Sequence, residues 1–353
     1  MAEAMDLLIK RTALAETKLA PATPPDLADG EAALRVDAFS LTANNVTYGA
    51  FGDFLKYWQF YPAPEGWGRV PVWGFATVTE SRSPNVKAGE RFYGYLPMST
   101  AFKIRPGGFA DESPHRAGLS PVYNTYVPNA EDPLYTAETE ALQMLFRPLF
   151  ATSFLIDDFI ADSALFGATQ VIFSSASAKT AYAAAQLLKA RGVKVVGLTS
   201  PGNVAFVKGL GFYDQVVPYS DIASLDGSTS SVFVDIAGDA AVRLAVHQTF
   251  RDNLKYSCAV GATHWDAPRP DEQLPGPQPQ MFFAPSVAQK RVADWGGAEF
   301  QRRLAAAWRA FLPTAARTTQ IVEGRGLPAA ASVFADLASG RTRPSDGHVI
   351  RLD

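Results

Sequence analysis

The chain has 353 residues, 47% hydrophobic and 19% charged, which is enough for two domains with sizeable cores and too apolar for a disordered chain. A net charge of −3 and the lack of any Lys/Arg-rich block exclude strong attraction to nucleic acid or to an anionic membrane surface. The one cysteine, Cys258, forms no intramolecular disulfide, and with four scattered histidines it offers no metal-ligand spacing. It lies in an apolar run, Tyr256-Ser257-Cys258-Ala259-Val260, and reads as a core thiol. No apolar run approaches the ~18 residues of a spanning helix. Residues 1–10 carry Glu3 and Asp6 and do not read as a secretory signal, so the expectation is a cytoplasmic protein.

The rhythm changes along the chain. Residues 32–38 alternate after a turn at Gly30, and short strands at 75–79 and 91–95 flank the turn-like Asn85-Val86-Lys87-Ala88-Gly89-Glu90. Short strands punctuated by Gly and Pro predict a barrel-like β domain. Residues 141–161 read as helical, with Pro148 kinking the helix or starting a new one. Strands at 171–173, 193–198, 215–217, 232–236 and 257–261 then alternate with helices at 178–189, 203–210 and 240–250. That alternation predicts a parallel, doubly wound sheet. The Pro-rich stretch 267–280 is irregular, either a plain surface loop or a lid. A strand at 281–284, a helix at 298–311, a strand at 320–322, a helix at 328–338 and a strand at 349–352 complete the chain.

Several segments, in this order, resemble the medium-chain dehydrogenase/reductase superfamily. They are Gly30-Glu31-Ala32-Ala33-Leu34-Arg35-Val36, Val86-Lys87-Ala88-Gly89-Glu90-Arg91-Phe92-Tyr93-Gly94, Tyr123-Asn124-Thr125-Tyr126-Val127-Pro128 and Ile321-Val322-Glu323-Gly324 with the elements after it. Phe146-Arg147-Pro148-Leu149-Phe150 and Pro71-Val72-Trp73-Gly74-Phe75 resemble a divergent branch of it, a domain of unknown function near the quinone and enoyl reductases. The resemblance implies an α/β fold with a GroES-like β-barrel catalytic domain and a doubly wound Rossmann cofactor domain. The implied boundaries are 1–149 for the first part of the catalytic domain, 150–285 for the cofactor domain and 286–353 for the return. A homodimer is a further implication, by analogy only.

In a dinucleotide fold the turn after the first strand brings backbone N–H groups and a helix N-terminus to the pyrophosphate. Here that turn is Ser174-Ser175-Ala176-Ser177-Ala178-Lys179-Thr180, with no glycine. Small residues still permit close approach, serine hydroxyls donate to phosphate, and Lys179 adds positive charge. A Ser-capped helix without a ligand is the plainer alternative. The second strand ends Leu198-Thr199-Ser200-Pro201-Gly202-Asn203, with no carboxylate to bind a ribose 2′-OH or repel a 2′-phosphate. Thr199, Ser200 and Asn203 therefore point to NADP(H). The resemblance adds Tyr219, Ala237, Gly238, Gly261, Phe283 and Thr152, with neighbouring Ser153, as cofactor contacts.

The segment Ser40-Leu41-Thr42-Ala43-Asn44-Asn45-Val46-Thr47-Tyr48 lacks the catalytic cysteine of zinc-dependent relatives and resembles zinc-independent quinone and enoyl reductases. No metal is expected, so hydrogen-bond donors must polarise the substrate oxygen. Tyr57 and Tyr48 are the candidate acids, with Asn44 as an orienting group. The run Leu55-Lys56-Tyr57-Trp58-Gln59-Phe60-Tyr61 walls an apolar or aromatic substrate pocket, or else forms an ordinary aromatic core. His115-Arg116 and Lys290-Arg291 are lesser candidates for binding an acidic group. The expected activity is NADPH-dependent reduction of a carbonyl or activated C=C in a small molecule. A redox-neutral enzyme or lyase on the same scaffold, and a non-catalytic NADP(H) sensor, are the alternatives.

Overall fold

Runs of consecutive apolar residues, as at Val171-Ile172-Phe173 and Val232-Phe233-Val234, require strands covered on both faces, and that requirement organises the middle of the chain. The computed structural model describes residues 4–108, 110–260 and 274–352. It divides into two units, residues 1–147 with 319–353, and residues 148–318.

The first unit opens with a hairpin, β1 (Met5–Lys10) and β2 (Thr17–Pro21), that the sequence reading did not contain. Then come β3 (Ala32–Leu41), the short helix α1 (Ala43–Ala50), β4 (Trp67–Gly68), β5 (Pro71–Ser81), β6 (Arg91–Pro97) and β7 (Ala101–Ile104). The two-residue strands β8 (Pro106–Gly107) and β9 (Ala110–Asp111) and β10 (Tyr126–Pro128) follow. Helix α2 (Glu140–Asp162) is continuous, with Pro148 inside it rather than at a break. After the second unit the chain returns with β17 (Gln320–Arg325), α8 (Gly326–Ala338) and β18 (Asp346–Arg351). The main sheet of this unit runs β10-β6-β5-β3-β18-β17, with β7 also on β3. It is antiparallel except for β17 and β18, whose connection through α8 allows parallel pairing. The β5–β6 register sets Trp73 opposite Tyr95 and Phe75 opposite Tyr93.

The second unit contains β11 (Gln170–Phe173), α3 (Lys179–Ala190), β12 (Lys194–Thr199), α4 (Val204–Leu210), β13 (Gln215–Pro218), β14 (Ser231–Asp235), α5 (Ala240–Phe250), β15 (Leu254–Ala259) and β16 (Gln280–Met281). The helices α6 (Ala284–Trp295) and α7 (Gly297–Thr318) end it. The sheet order is β13-β12-β11-β14-β15-β16, and every pair is parallel. This is the doubly wound Rossmann order, with the order reversing between β11 and β14, where ligands of such sheets bind at the strands' C-terminal ends. One face packs Val171, Phe173, Val195, Val232 and Val234 against Ile156 and Ile160 of α2 and Ala181, Ala184 and Leu188 of α3. The other packs Ile172, Val196, Leu198 and Phe233 against Val242, Val246 and Phe250 of α5. The period of two splits each apolar strand between the two layers.

The structure departs from the sequence reading at two further places. Residues 286–318, read as part of the return to the β domain, belong to the unit of the parallel sheet as α6 and α7. The strand read at 281–284 stops at Met281, because Pro285 in the first turn of α6 favours a helix start there. Among the described residues no helix is long and apolar enough to cross a membrane.

Cys258 is fully buried in the face covered by α2 and α3, and burial pushes its thiol up to about 12. A buried thiol has almost no thiolate at neutral pH. Reaction of the native protein with a chromogenic disulfide at pH 8 should therefore be at least about 100-fold slower than that of the urea-unfolded chain.

Candidate functional site

The turn between β11 and α3 is built as a polar cradle. Ser174 directly follows β11 and is fully buried. Its hydroxyl donates to Asp235 Oδ1 at 2.7 Å and accepts the N–H groups of Ile236 and Ala237, each at 2.9 Å. Asp235, at the end of β14, also accepts the Gly238 N–H at 2.9 Å, and its second oxygen pairs with Arg243 of α5 at 2.9 Å. This strap ties the ends of the two strands that flank the switch point.

Ser175 takes a left-handed φ of +47°, a conformation that a glycine adopts without cost. Its N–H donates to the Tyr219 hydroxyl at 2.9 Å, which secures the turn from the β13 side. Burial raises the Tyr219 phenol above its ordinary range, so it stays protonated. Ala176 is buried, with its N–H given to Leu198 O at 2.9 Å and its carbonyl taking the Tyr213 hydroxyl at 2.9 Å. The close approach this needs is provided at Gly197 of β12, where a Cβ would lie 2.9 Å from Ala176 Cβ and 2.8 Å from the Tyr213 ring. Ser177 accepts the Asn203 side-chain N–H at 3.2 Å, so the turns after β11 and β12 meet. Lys179 and Thr180 form the first turn of α3, which contains no acidic residue.

The candidates therefore sort by position. Ser175, Ser177, Lys179, Thr180, Ser200, Asn203 and Tyr219 gather around the ends of β11, β12 and β13. Ser174 is corrected from phosphate donor to strap, because every bond of its hydroxyl is spent inside the protein. Ala176 is likewise a packing residue, and Thr199 is buried as the last residue of β12. Ala237 and Gly238 follow β14 with their N–H groups committed to Ser174 and Asp235. Thr152 bonds its own helix at Pro148 O, 3.4 Å, while its neighbour Ser153 reaches Thr180 O at 2.8 Å. Phe283 is an exposed residue before α6. Gly261 lies outside the described residues.

The first unit carries the aromatic candidates. Asn44 and Tyr48 share one face of α1, and Tyr57 starts a 3₁₀ turn after Lys56, itself at φ +61°. Tyr48 lies 4.7 Å from Tyr57, 5.3 Å from Tyr95 and 6.0 Å from Tyr123, centroid to centroid. Trp73 Nε1 donates to the Tyr48 hydroxyl at 3.1 Å, and the Tyr57 and Tyr123 hydroxyls are 3.2 Å apart. Burial pushes Tyr48 well above the ordinary phenol range, and the Tyr123 phenol adds to this, while bonds from Trp73 and Asn44 pull the other way. Tyr57 is raised by burial and by Tyr123 and Tyr48. Trp73, Tyr95 and Tyr123 were not singled out from the sequence; only their registers on β5, β6 and the turn before β10 reveal them.

Of the lesser candidates, His115 is exposed, and Arg116, Lys290 and Arg291 are engaged in ion pairs within the protein. Arg116 is buried against Asp111 at 2.8 Å, with its guanidinium 4.6 Å from the Tyr61 ring centroid. Arg291 is held by Asp158, Asp162 and Asp294, and Lys290 by Asp162 and Asp294. Among the described residues no His, Cys, Asp or Glu cluster suits a metal.

Residues 39–343 match the family described as "Protein of unknown function (DUF2855)". The chain belongs to this family. Comparison with curated proteins gave no match. Among solved structures the chain is similar to CurA from Vibrio vulnificus in complex with NADPH, at 12% identity and TM-score 0.65 over 99% of both chains. It is also similar to a quinone oxidoreductase from Coxiella burnetii, at 15% identity and TM-score 0.62 over 99% of this chain and 100% of that one. A third is the yhdH oxidoreductase from Salmonella enterica in complex with NADP, at 13% identity and TM-score 0.59 over the same shares. These likenesses concern the fold: this family member has an α/β fold with a GroES-like β-barrel domain and a doubly wound Rossmann domain.

Removing one partner of the strap leaves buried groups unpaired, at a cost of about 1–3 kcal/mol. Ser174→Ala and Asp235→Asn should each lower stability by about that amount in urea denaturation, measured without any ligand.

Proposed function

We propose that the chain is a zinc-independent, NADPH-dependent oxidoreductase that reduces a carbonyl or an activated C=C in a small apolar or aromatic molecule. One observation carries the reading: the turn at the switch point of the parallel sheet opens onto a helix whose first turn is free of acid, and β12 beside it ends without a carboxylate. The N–H groups in the first turn of a helix have no partner within it and suit an anion. Ser175, Ser177 and Tyr219 offer hydroxyls at the same place, and Ser200, Asn203 and Lys179 suit the extra phosphate of NADPH. That two similar structures were solved with NADPH or NADP supports the same choice.

Bound NADPH would supply the hydride; the chain has to orient the substrate and deliver a proton. Tyr48 is the preferred acid, because its oxygen accepts the Trp73 indole N–H at 3.1 Å, a donor that can stabilise its phenolate, whereas the Tyr57 hydroxyl meets another phenol, Tyr123, at 3.2 Å. Tyr57 and Tyr95 pack on Tyr48, and Tyr123 on Tyr57, an aromatic cluster that supports an apolar or aromatic substrate. This reading keeps the small-molecule partner and cytoplasmic location of the sequence expectation.

Titration calorimetry should give NADPH binding at least about tenfold tighter than NADH, and Lys179→Ala should weaken NADPH by about tenfold. Tighter NADH binding would defeat the cofactor choice. NADPH consumption should be assayed with a panel of quinones, enones and aldehydes; tight binding with no consumption points to the sensor reading instead.

Tyr48→Phe should lower kcat by about 100-fold and Tyr57→Phe by less. Because burial keeps Tyr48 protonated above the usual ~10, kcat should not fall between about pH 7 and 9 through loss of its proton. A basic limb below about pH 9 that vanishes in Tyr48→Phe would reverse this sign.

A further inference from the structure

The Tyr48 hydroxyl has a fixed polarity that the Tyr57 hydroxyl lacks. An indole N–H only donates, so at the 3.1 Å contact Tyr48 oxygen is the acceptor and its own proton must point elsewhere. Tyr57 meets another phenol, Tyr123, and either oxygen can donate across the 3.2 Å contact. The indole is itself held in place. Trp73 stacks on Tyr93 at 5.7 Å and 16°, a diagonal pair across β5 and β6, and the Arg147 guanidinium lies 4.6 Å from the Tyr93 ring centroid. Arg147 is anchored by the buried Asp132, which also accepts Gln143 at 2.9 Å and the Leu134 N–H at 3.0 Å. The Tyr95 ring, 5.0 Å away, closes another side of the indole.

We propose that Trp73 is a positioning residue that aims the Tyr48 proton at the substrate oxygen and then holds the phenolate that remains. This rests on the reading of Tyr48 as the acid. In the step, NADPH, when bound, would supply the hydride to the substrate carbon and be left as NADP⁺, while the Tyr48 O–H bond breaks and its proton goes to the substrate oxygen, so that C=O would become CH–OH. Tyr48 is left as a phenolate and regains its proton from water. The Trp73 N–H bond strengthens as charge develops on Tyr48 oxygen, so it lowers the barrier rather than tightening ground-state binding.

The test has one arm that needs no turnover. In protein labelled with ¹⁵N-tryptophan, Trp73→Phe assigns one of the six indole N–H signals. Tyr48→Phe should shift that signal and speed its exchange with solvent, and Tyr57→Phe should leave it in place. In the second arm NADPH oxidation is followed with 1,4-benzoquinone, 2-cyclohexenone and benzaldehyde as probes. Trp73→Phe should lower kcat roughly ten- to a hundredfold with KM for NADPH unchanged, and should cost nothing more in a Tyr48→Phe background. Trp73→His, which keeps a ring donor, should recover part of the loss. An indole signal indifferent to Tyr48→Phe overturns the proposal, as does an equal loss in both backgrounds. Failure of the wild type to reduce any probe, with the indole bond present, overturns the reductase reading and the acid role with it; additive losses in an active enzyme overturn Trp73 alone.

Discussion

Asp235 is a carboxylate almost wholly removed from water at the end of a core strand, and the arrangement of the loop ends follows from how its charge is satisfied. An unpaired buried carboxylate is too costly to persist. Here one oxygen takes Ser174 and the Gly238 N–H, while the other takes the Arg243 side chain. The same bonds fix the directions in which the chain leaves β11 and β14. The polar network thus locates the switch point of the sheet, and hydrophobic packing on the two faces carries the bulk of the stability.

With that strap in place the loop does not need the glycines of the usual fingerprint, because their duties are divided. Close approach of backbone to the neighbouring strand is met by Gly197, which is in β12 and not in the loop. The left-handed turn is met by Ser175, at a conformational cost of about 1–2 kcal/mol that its N–H bond to Tyr219 helps to offset. A residue pattern confined to the loop therefore reads as defective, while the three-dimensional arrangement is complete. A serine in this place also keeps a hydroxyl where a glycine would offer only its N–H.

The parallel sheet was legible because its strands are apolar on both faces and separated by helical periods, a signal that survives without any family pattern. The two-domain order was legible through resemblance. What stayed hidden was set by contacts distant in sequence. The hairpin of β1 and β2 has no strong turn dipeptide, and the grouping of α6 and α7 with the second unit depends on tertiary packing. Ser174 and Ser175 look alike in sequence, yet one is buried with its hydroxyl bonded three ways and the other is half-buried in the turn at a left-handed φ. No local rule separates them, because the separation is made by Asp235, 61 residues away from Ser174.

The aromatic unit poses the complementary problem. Its tyrosines were countable in the sequence, but residue type gives a buried phenol only a raised pKa and so argues against every one of them as an acid. What distinguishes them is the direction of their hydrogen bonds. Where the partner is another phenol, as for Tyr57 and Tyr123, either oxygen can donate, and the bond does not fix where a proton points. Where the partner can only donate, the phenol's own proton is turned outward and its conjugate base already has a ligand. A desolvated acid becomes useful under the second condition, and in this molecule a tryptophan one strand away from α1, rather than any carboxylate or metal ligand, creates it.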